Sequence, residues 1–444
     1  MGAAQARKFE AQPASHVSGA IAVPGDKSIS HRALMLSGIA EGPSEVSGFL
    51  ASEDCLASLA AMRALGVRVE QPSPTEVRVR GVGLRGLKEA GRALDMGNAG
   101  TAIRLFTGLL AAQAFDSRLI GDASLMKRPM ERVAGPLRQM GADVRTHGGT
   151  PPVDIHGGRA LHGIEYRMPV ASAQVKSAML LAALYADSAT TVIAPGINRD
   201  HSERMLKSCG VDLQIDGLRT TLLPPRRLAG QKLNVPGDFS SAAFFIVAGL
   251  LGAEHAGLTI KNVGLNPTRT GLLDILRSMG GRIEIREPRE SGAEPVADLE
   301  VHASALRGVR VPAHLVPLAI DEFPVLFIAA ACAAGETLVS GAAELRVKES
   351  DRIAAMSAGL AALGVAHEAL PDGMRIEGRG MGPAFTGGEV ESSGDHRIAM
   401  SFAVASLRAA GPISIRDVAN VATSFPNFAE LARAVGLDVR ESVL

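Results

Sequence analysis

Several short stretches of this chain combine residue types that could do chemistry on anions. The first is Val23-Pro24-Gly25-Asp26-Lys27-Ser28-Ile29-Ser30-His31-Arg32, which runs into the apolar Ala33-Leu34-Met35-Leu36. A Pro-Gly turn here opens a helix. Its free backbone N–H groups, together with a Lys, a Ser and an Arg one turn on, make a place for phosphate. A merely capped surface helix would avoid Lys27 and Arg32, because cations sit badly at the positive end of the helix dipole. The stretch is not a P-loop, which needs Gly directly before Lys-Ser, where Asp26 intervenes.

Other stretches repeat the theme. Gly97-Asn98-Ala99-Gly100-Thr101-Ala102-Ile103-Arg104 packs small residues at a helix start, so that a ligand can approach the backbone closely. Gly121 to Met130 places Lys127 and Arg128 beside Pro129, and a stiffly held Arg128 suits bidentate phosphate contact. Ser172-Ala173-Gln174 is a further polar helix start, with Ser172 also reading as a plain cap, and Arg199-Asp200-His201 follows it. Asp321-Glu322 opens an apolar helix between Ile320 and Phe323. Apolar surroundings can raise a carboxyl pKa toward the working range of a general base, so Asp321 is a candidate base and not only a cap. Arg346-Val347-Lys348-Glu349-Ser350-Asp351-Arg352 puts Lys348 and Arg352 on one helical face at i, i+4, and Asp395-His396-Arg397 places another Arg at a helix start.

Composition requires that anion recognition be local. The 444 residues carry 46 basic and 46 acidic side chains, which excludes a global bias toward nucleic acid or anionic membrane. Three scattered cysteines, Cys55, Cys209 and Cys332, show neither a disulfide framework nor zinc-ligand spacing, so a reducing compartment fits. The polar stretch Met1 to Ser18 has no signal-like apolar core, and the apolar runs elsewhere are interrupted before they could span a bilayer. These features predict a cytoplasmic globular protein.

The elements that must position these stretches form a repeat. An apolar residue, two variable residues, an apolar residue and Gly recur as Met62 to Gly66, Leu137 to Gly141, Leu206 to Gly210, Leu276 to Gly280, Leu360 to Gly364 and, more loosely, Ala432 to Gly436. The Gly-to-Gly spacings are 75, 69, 70, 84 and 72 residues. Each Gly sits where a helix C-cap wants a left-handed residue, and alternating strand-like residues follow. Before each such helix lies another, polar at its start and apolar all round afterwards, hence buried. Each unit therefore reads as strand, buried helix, strand, amphipathic helix and two strands. Six buried helices aligned by their polar N-termini would sum their positive ends at one place.

Val23-Pro24-Gly25-Asp26 returns as Val235-Pro236-Gly237-Asp238, before the first unit and before the fourth. This implies two lobes of three units each, 24–236 and 1–23 plus 237–444, with a hinge at the two Pro-Gly crossovers and the strand-like Ala20 to Val23 completing the second lobe's sheet. Gly81-x-Gly83-x-x-Gly86 matches a dinucleotide fingerprint, but it falls between strands, and Gly157-Gly158 and Gly378-Arg379-Gly380 occupy comparable places. It reads as a turn.

With these motifs quoted, the chain resembles the 3-phosphoshikimate 1-carboxyvinyltransferase (5-enolpyruvylshikimate-3-phosphate synthase) family from about residue 16 to the C-terminus. The resemblance implies an α/β, two-domain enolpyruvyl transferase-like fold of six βαβαββ units whose buried helices point their N-termini at the interdomain cleft. It implies transfer of the enolpyruvyl group of phosphoenolpyruvate to the 5-hydroxyl of shikimate 3-phosphate by a monomer, with no metal or organic cofactor, and glyphosate as an inhibitor. Carried over by motif, Lys27, Ser28, Arg32, Ser172, Ala173, Gln174, Arg199, Asp321 and Lys348 hold shikimate 3-phosphate. Lys27, Gly100, Arg128, Gln174, Arg352 and Arg397 hold phosphoenolpyruvate, the last two on its carboxylate. Asp321 takes the hydroxyl proton and Glu349 protonates the methylene carbon, with Lys27 a competing proton carrier.

Two positions depart from the family's pattern. Leu105 stands where many members carry Pro, which points to the class II subgroup, and Thr423 stands where many carry Lys, which removes one phosphate contact. An enolpyruvyl transferase acting on UDP-N-acetylglucosamine would carry a Cys near Ser124 to Pro129, where this chain has none. A ring-forming nucleic-acid clamp would need basic helix faces and a positive balance.

Overall fold

The six recurrent glycines all end helices. In the computed structural model, which describes residues 7–14, 16–225 and 227–443, Gly66, Gly141, Gly210, Gly280, Gly364 and Gly436 have φ of 88°, 99°, 84°, 95°, 74° and 104°. Residues 1–6 and Ser15, within the polar N-terminal stretch, lie outside the described residues. The left-handed turn carries the next N–H back onto the helix: Val67 donates to the Met62 carbonyl at 3.1 Å and Gly281 to that of Leu276 at 2.8 Å, with matching bonds from Ala142, Val211, Val365 and Leu437. A side chain at these positions would meet the αL penalty, which is why Gly recurs there.

The preceding helices, Lys27–Ile39, Gly100–Leu110, Ala173–Ala183, Phe239–Gly252, Phe323–Ala331 and His396–Ala405, are buried nearly throughout. Asp26, Ser172 and Asp395 cap three of them, accepting from the backbone N–H of Ile29, Val175 and Arg397. The Gly100 helix begins without a side-chain cap, and so does the Phe323 helix, whose N-cap residue Glu322 turns its carboxylate elsewhere.

Two units result, each with its own core. Gly25–Val235, joined by Ser291–Glu294, holds three four-stranded sheets. In each, a parallel pair is followed by two antiparallel strands; in the first, Glu41–Ser47 lies parallel to Lys232–Asn234 and antiparallel to Glu76–Val82. Residues 1–24, 236–290 and 295–444 form the other unit. Here Val17–Ala22, although it leads into the Lys27 helix, pairs in parallel with Ala253–Gly264. Arg7–Ala11 lies between Ile413–Arg416 and Val439–Val443, antiparallel to both, so the start of the chain supplies a strand to its last sheet. Phe9 on that strand sits 6.0 Å from the ring of Phe428, and Phe425 lies 5.5 Å from Phe428 edge-on. Such aromatic pairs add about 0.5–1.5 kcal/mol each beyond their buried area.

One unit departs from the strand–helix–strand reading. The fifth sheet has three named strands, and its first is reduced to isolated bridges at Arg307 and Arg310. The fingerprint-like stretch is a strand end followed by a turn: Gly81 lies within the strand Glu76–Val82, and the Gly86 N–H donates to the Gly83 carbonyl at 3.2 Å. An added Cβ on Gly81, Gly157 or Gly378 would lie 2.2, 2.3 or 2.1 Å from the carbonyl oxygen of Ala40, Phe115 or Ala333, and Gly86 leads to a strand, Leu94–Asp95, and not to a helix. All three cysteines are free and buried, and burial raises the thiols of Cys209 and Cys332 to about 12, leaving them unreactive. Among the described residues no single helix is long and apolar enough to cross a membrane.

Candidate active site

In the Gly25–Val235 unit the expected residues fall at three helix starts. Lys27 opens its helix, and its Nζ lies 2.9 Å from Asp54 Oδ2. Asp54 is buried in the first turn of the neighbouring helix Glu53–Ala64. Ser28 is half-buried beside it and offers its carbonyl to Arg32 Nη1 at 2.8 Å. Arg32 is 4% exposed and donates further to Ser202 Oγ and Ser177 Oγ, both at 2.7 Å. Burial outweighs its neighbours and brings the guanidinium down to about 10. Next to it, burial and then the charges of Lys27 and Arg32 push His31 down to about 3, so the ring, bonded through Nδ1 to Ser58 Oγ at 2.7 Å, stays neutral.

The second start carries the phosphoenolpyruvate candidates Gly100 and Arg128. A methyl group on Gly100 would lie 2.7 Å from Arg128 Nη1 and 3.2 Å from Arg104 Nη1, so this glycine keeps room for two guanidinium groups. Arg128 Nη2 donates to Asn98 Oδ1 at 2.6 Å. Gln174, on the third start, is fixed from both ends: Arg104 Nη1 donates to its Oε1 at 2.6 Å, and its Nε2 donates to Thr101 Oγ1 at 2.9 Å. Ala173 is the first residue of that helix, and the Ser172 hydroxyl caps Val175 N–H at 3.4 Å, so the plain capping role is real. Arg199 is half-buried just before the helix His201–Ser208. Sequence reasoning missed Asp54, Asn98, Thr101, Ser177 and Ser202 as partners. Arg104 was quoted only as part of a motif, yet a cation within an apolar helix is a signal that could have singled it out.

In the other unit Asp321, Lys348, Glu349, Arg352 and Arg397 come together. Asp321 Oδ1 is 3.2 Å from Arg352 Nη1 and 3.6 Å from Lys348 Nζ, and its backbone carbonyl accepts from Arg397 Nη1 at 3.1 Å. Arg352, 1% exposed, also donates through Nη2 to Glu349 Oε2 at 2.6 Å and through Nε to Asp395 Oδ2 at 2.8 Å. Burial works against its charge, but Asp395, Glu349 and Asp321 together more than offset this and raise its pKa. Asp395 also caps the Arg397 N–H at 2.9 Å, so one buried carboxylate holds both arginines. The next residue after the candidate base, Glu322, is buried against Ser240 Oγ and lies 3.9 Å from Arg269 and 3.8 Å from Arg397.

Two expectations are corrected here. Lys348 and Arg352 do not share a helix face: Asp351 caps Ala354 N–H, the helix starts only at Arg352, and Lys348 is extended after the short turn Ala343–Val347. They meet at Asp321 through that bend. The setting of the Asp321 carboxylate is cationic and not apolar, because Ile320 and Phe323 flank it in sequence while Lys348 and Arg352 face it in space. Thr423, where a Lys was expected, is buried and donates to the Asn420 carbonyl at 2.7 Å.

Comparison with known proteins places these groups in a family. The family profile described as EPSP synthase (3-phosphoshikimate 1-carboxyvinyltransferase) matches residues 11–431. The 3-phosphoshikimate 1-carboxyvinyltransferase of Methylococcus capsulatus is 57% identical over 435 residues, 98% of each chain. A structure of EPSP synthase from Acinetobacter baumannii shares 51% identity and a TM-score of 0.89, covering 98% of this chain and 100% of that one. The enolpyruvyl transferase NikO from Streptomyces tendae, 18% identical with a TM-score of 0.77 over 99% of this chain and all of that one, shares the fold. On the profile match and the full-length relatives alike, the chain belongs to the EPSP synthase (3-phosphoshikimate 1-carboxyvinyltransferase) family.

Proposed function

We propose that this chain transfers the enolpyruvyl group of phosphoenolpyruvate to the 5-hydroxyl of shikimate 3-phosphate, releasing inorganic phosphate, on the route to chorismate and the aromatic amino acids. The observation that carries the chemistry is the meeting of Asp321, Glu349 and Lys348 on and beside the single guanidinium of Arg352. Two acids and two cations there can move protons beside a bound anion.

Lys27, Ser28, Arg32, Ser172, Ala173, Gln174, Arg199, Asp321 and Lys348 take shikimate 3-phosphate. Lys27, Gly100, Arg128, Gln174, Arg352 and Arg397 take phosphoenolpyruvate. An incoming carboxylate claims the Nη1 and Nη2 edge of Arg352, the edge that Asp321 and Glu349 share, and so turns both acids toward the reacting carbons. Glu349 then gives a proton to the methylene carbon while the 5-hydroxyl oxygen bonds to C2 and Asp321 accepts the hydroxyl proton. The resulting tetrahedral adduct returns a methyl proton to the Glu349 carboxylate, the C2–O bond to phosphate breaks with the leaving phosphate taking up the proton held on Asp321, and the double bond is restored. Lys27, held by Asp54, stands as the other proton carrier. Every step is addition or elimination with proton transfer, which these side chains can carry without a metal or an organic cofactor. We read the enzyme as a cytoplasmic monomer.

The test is release of phosphate from phosphoenolpyruvate by the purified protein. Release is expected when shikimate 3-phosphate is supplied and not when UDP-N-acetylglucosamine replaces it; turnover with the sugar nucleotide would overturn the reading.

A further inference from the structure

The Arg128 guanidinium does not hang free beside Gly100; both ends of the residue lead back to one carboxylate. At the backbone end, Asp122 Oδ1 accepts from the N–H of Ser124 at 3.0 Å and of Leu125 at 2.7 Å, capping the short turn Leu125–Lys127. Arg128 directly follows that turn, and its N–H donates to the Leu125 carbonyl at 3.0 Å. At the side-chain end, Asp122 Oδ2 accepts from Asn98 Nδ2 at 2.7 Å, and Asn98 Oδ1 accepts from Arg128 Nη2 at 2.6 Å. The Asp122 N–H also donates to the Gly97 carbonyl at 2.8 Å, which ties this loop to the start of the Gly100 helix.

An ionised carboxylate can only accept, so it admits one orientation of the Asn98 amide: nitrogen toward Asp122, oxygen toward Arg128. We propose that Asp122 is a positioning residue that acts through the Asn98 amide to aim the Arg128 guanidinium at the anionic end of phosphoenolpyruvate. The relay rests on the assignment of Arg128 to that substrate. Exposure does not weaken the orienting role, because water can replace the Asp122 bond but cannot dictate which way the amide faces.

The two functions of Asp122 can be separated. Asp122→Asn keeps an oxygen for the Ser124 and Leu125 N–H groups but presents N–H where Asn98 also presents N–H, so the amide of Asn98 turns and the Arg128 contact is lost. The expected result is a KM for phosphoenolpyruvate raised about tenfold, as for one lost hydrogen bond to a charged group, with the KM for shikimate 3-phosphate unmoved and kcat changed less than KM. Asn98→Ala should do the same, and the double variant should be no worse than Asn98→Ala alone, since both break one chain. Additive losses, an equal rise in both KM values, or an unchanged KM for phosphoenolpyruvate in Asp122→Asn would overturn the relay. Arg128→Ala is the control: if it leaves the KM for phosphoenolpyruvate unchanged, the assignment of Arg128 falls and takes the relay with it. If Arg128→Ala raises that KM and Asp122→Asn does not, the relay alone is wrong.

Discussion

Arg32 and Arg352 are almost equally buried, at 4% and 1% exposure, and their environments push them in opposite directions. Arg32 donates to two serine hydroxyls and a carbonyl, and burial lowers it to about 10. Arg352 faces three carboxylates, which outweigh a comparable burial and raise it. The difference lies in the charge of the partners. Neutral partners fix the direction of a guanidinium and leave its charge to be met by a ligand, which suits a phosphate-bearing substrate. Anionic partners balance the charge in place, so a ligand must exchange with them, and that exchange can set acids free for proton transfer. Arg32 thus spends its hydrogen bonds on neutral groups, whereas Lys27 in the same unit is paired with Asp54 and Arg352 in the other already holds Asp321 and Glu349.

Removal of each charge gives the largest contrast. Arg352→Met leaves carboxylates buried without their cation and should cost about 3–5 kcal/mol. Arg32→Met deletes a buried charge whose hydroxyl partners Ser177 and Ser202 already bond each other at 2.8 Å. It should cost less than about 1 kcal/mol in stability while raising the KM for shikimate 3-phosphate. Urea unfolding of the two variants checks this, and equal losses would break the comparison. Asp321→Asn keeps the shape of the cluster but removes the proposed proton acceptor, so kcat should fall roughly a hundredfold or more with both KM values nearly unchanged. Steady-state kinetics decide it; an unaltered kcat would take the base role from Asp321.

His31 gives the smallest and most specific test of the surroundings of Arg32. Its folded-state pKa is depressed from 6.5 to about 3 by burial and by Lys27 and Arg32. As pH falls below 6.5 the unfolded chain takes up the proton and the folded chain does not, so stability is lost on acidification through the window between those two values. The slope from this one group is at most about 1.4 kcal/mol per pH unit. His31→Gln should flatten the fall in urea midpoint between pH 7 and pH 5. Parallel profiles for the two proteins would mean that the cationic start accepts the proton after all.

Much of the fold was legible because the repeat is local. A helix end that needs a left-handed residue is decided by a few consecutive residues, and all six capping glycines have the positive φ expected of them. The Gly83-Gly86 turn could be told from a nucleotide loop for the same reason. The candidate site was legible as a set of charged helix starts, but its internal wiring was not. Asp54 was not singled out, and Asn98 and Asp395 stood only as members of motifs, yet each holds a cation that the sequence places elsewhere. The i, i+4 reading of Lys348 and Arg352 failed because Asp351 is a stronger local signal, a helix cap, than the spacing it interrupts.

The sequence by itself determined the repeating unit, the positions of the polar helix starts and the identities of the charged groups on them, since periodicity, capping and turn chemistry act over a few residues. Only the tertiary structure decided which carboxylate meets which cation, and with it whether a buried arginine is balanced by protein or left for a ligand. Asp321 shows why: its chain neighbours are apolar, but its electrostatic neighbours, Lys348 and Arg352, arrive from about thirty residues away.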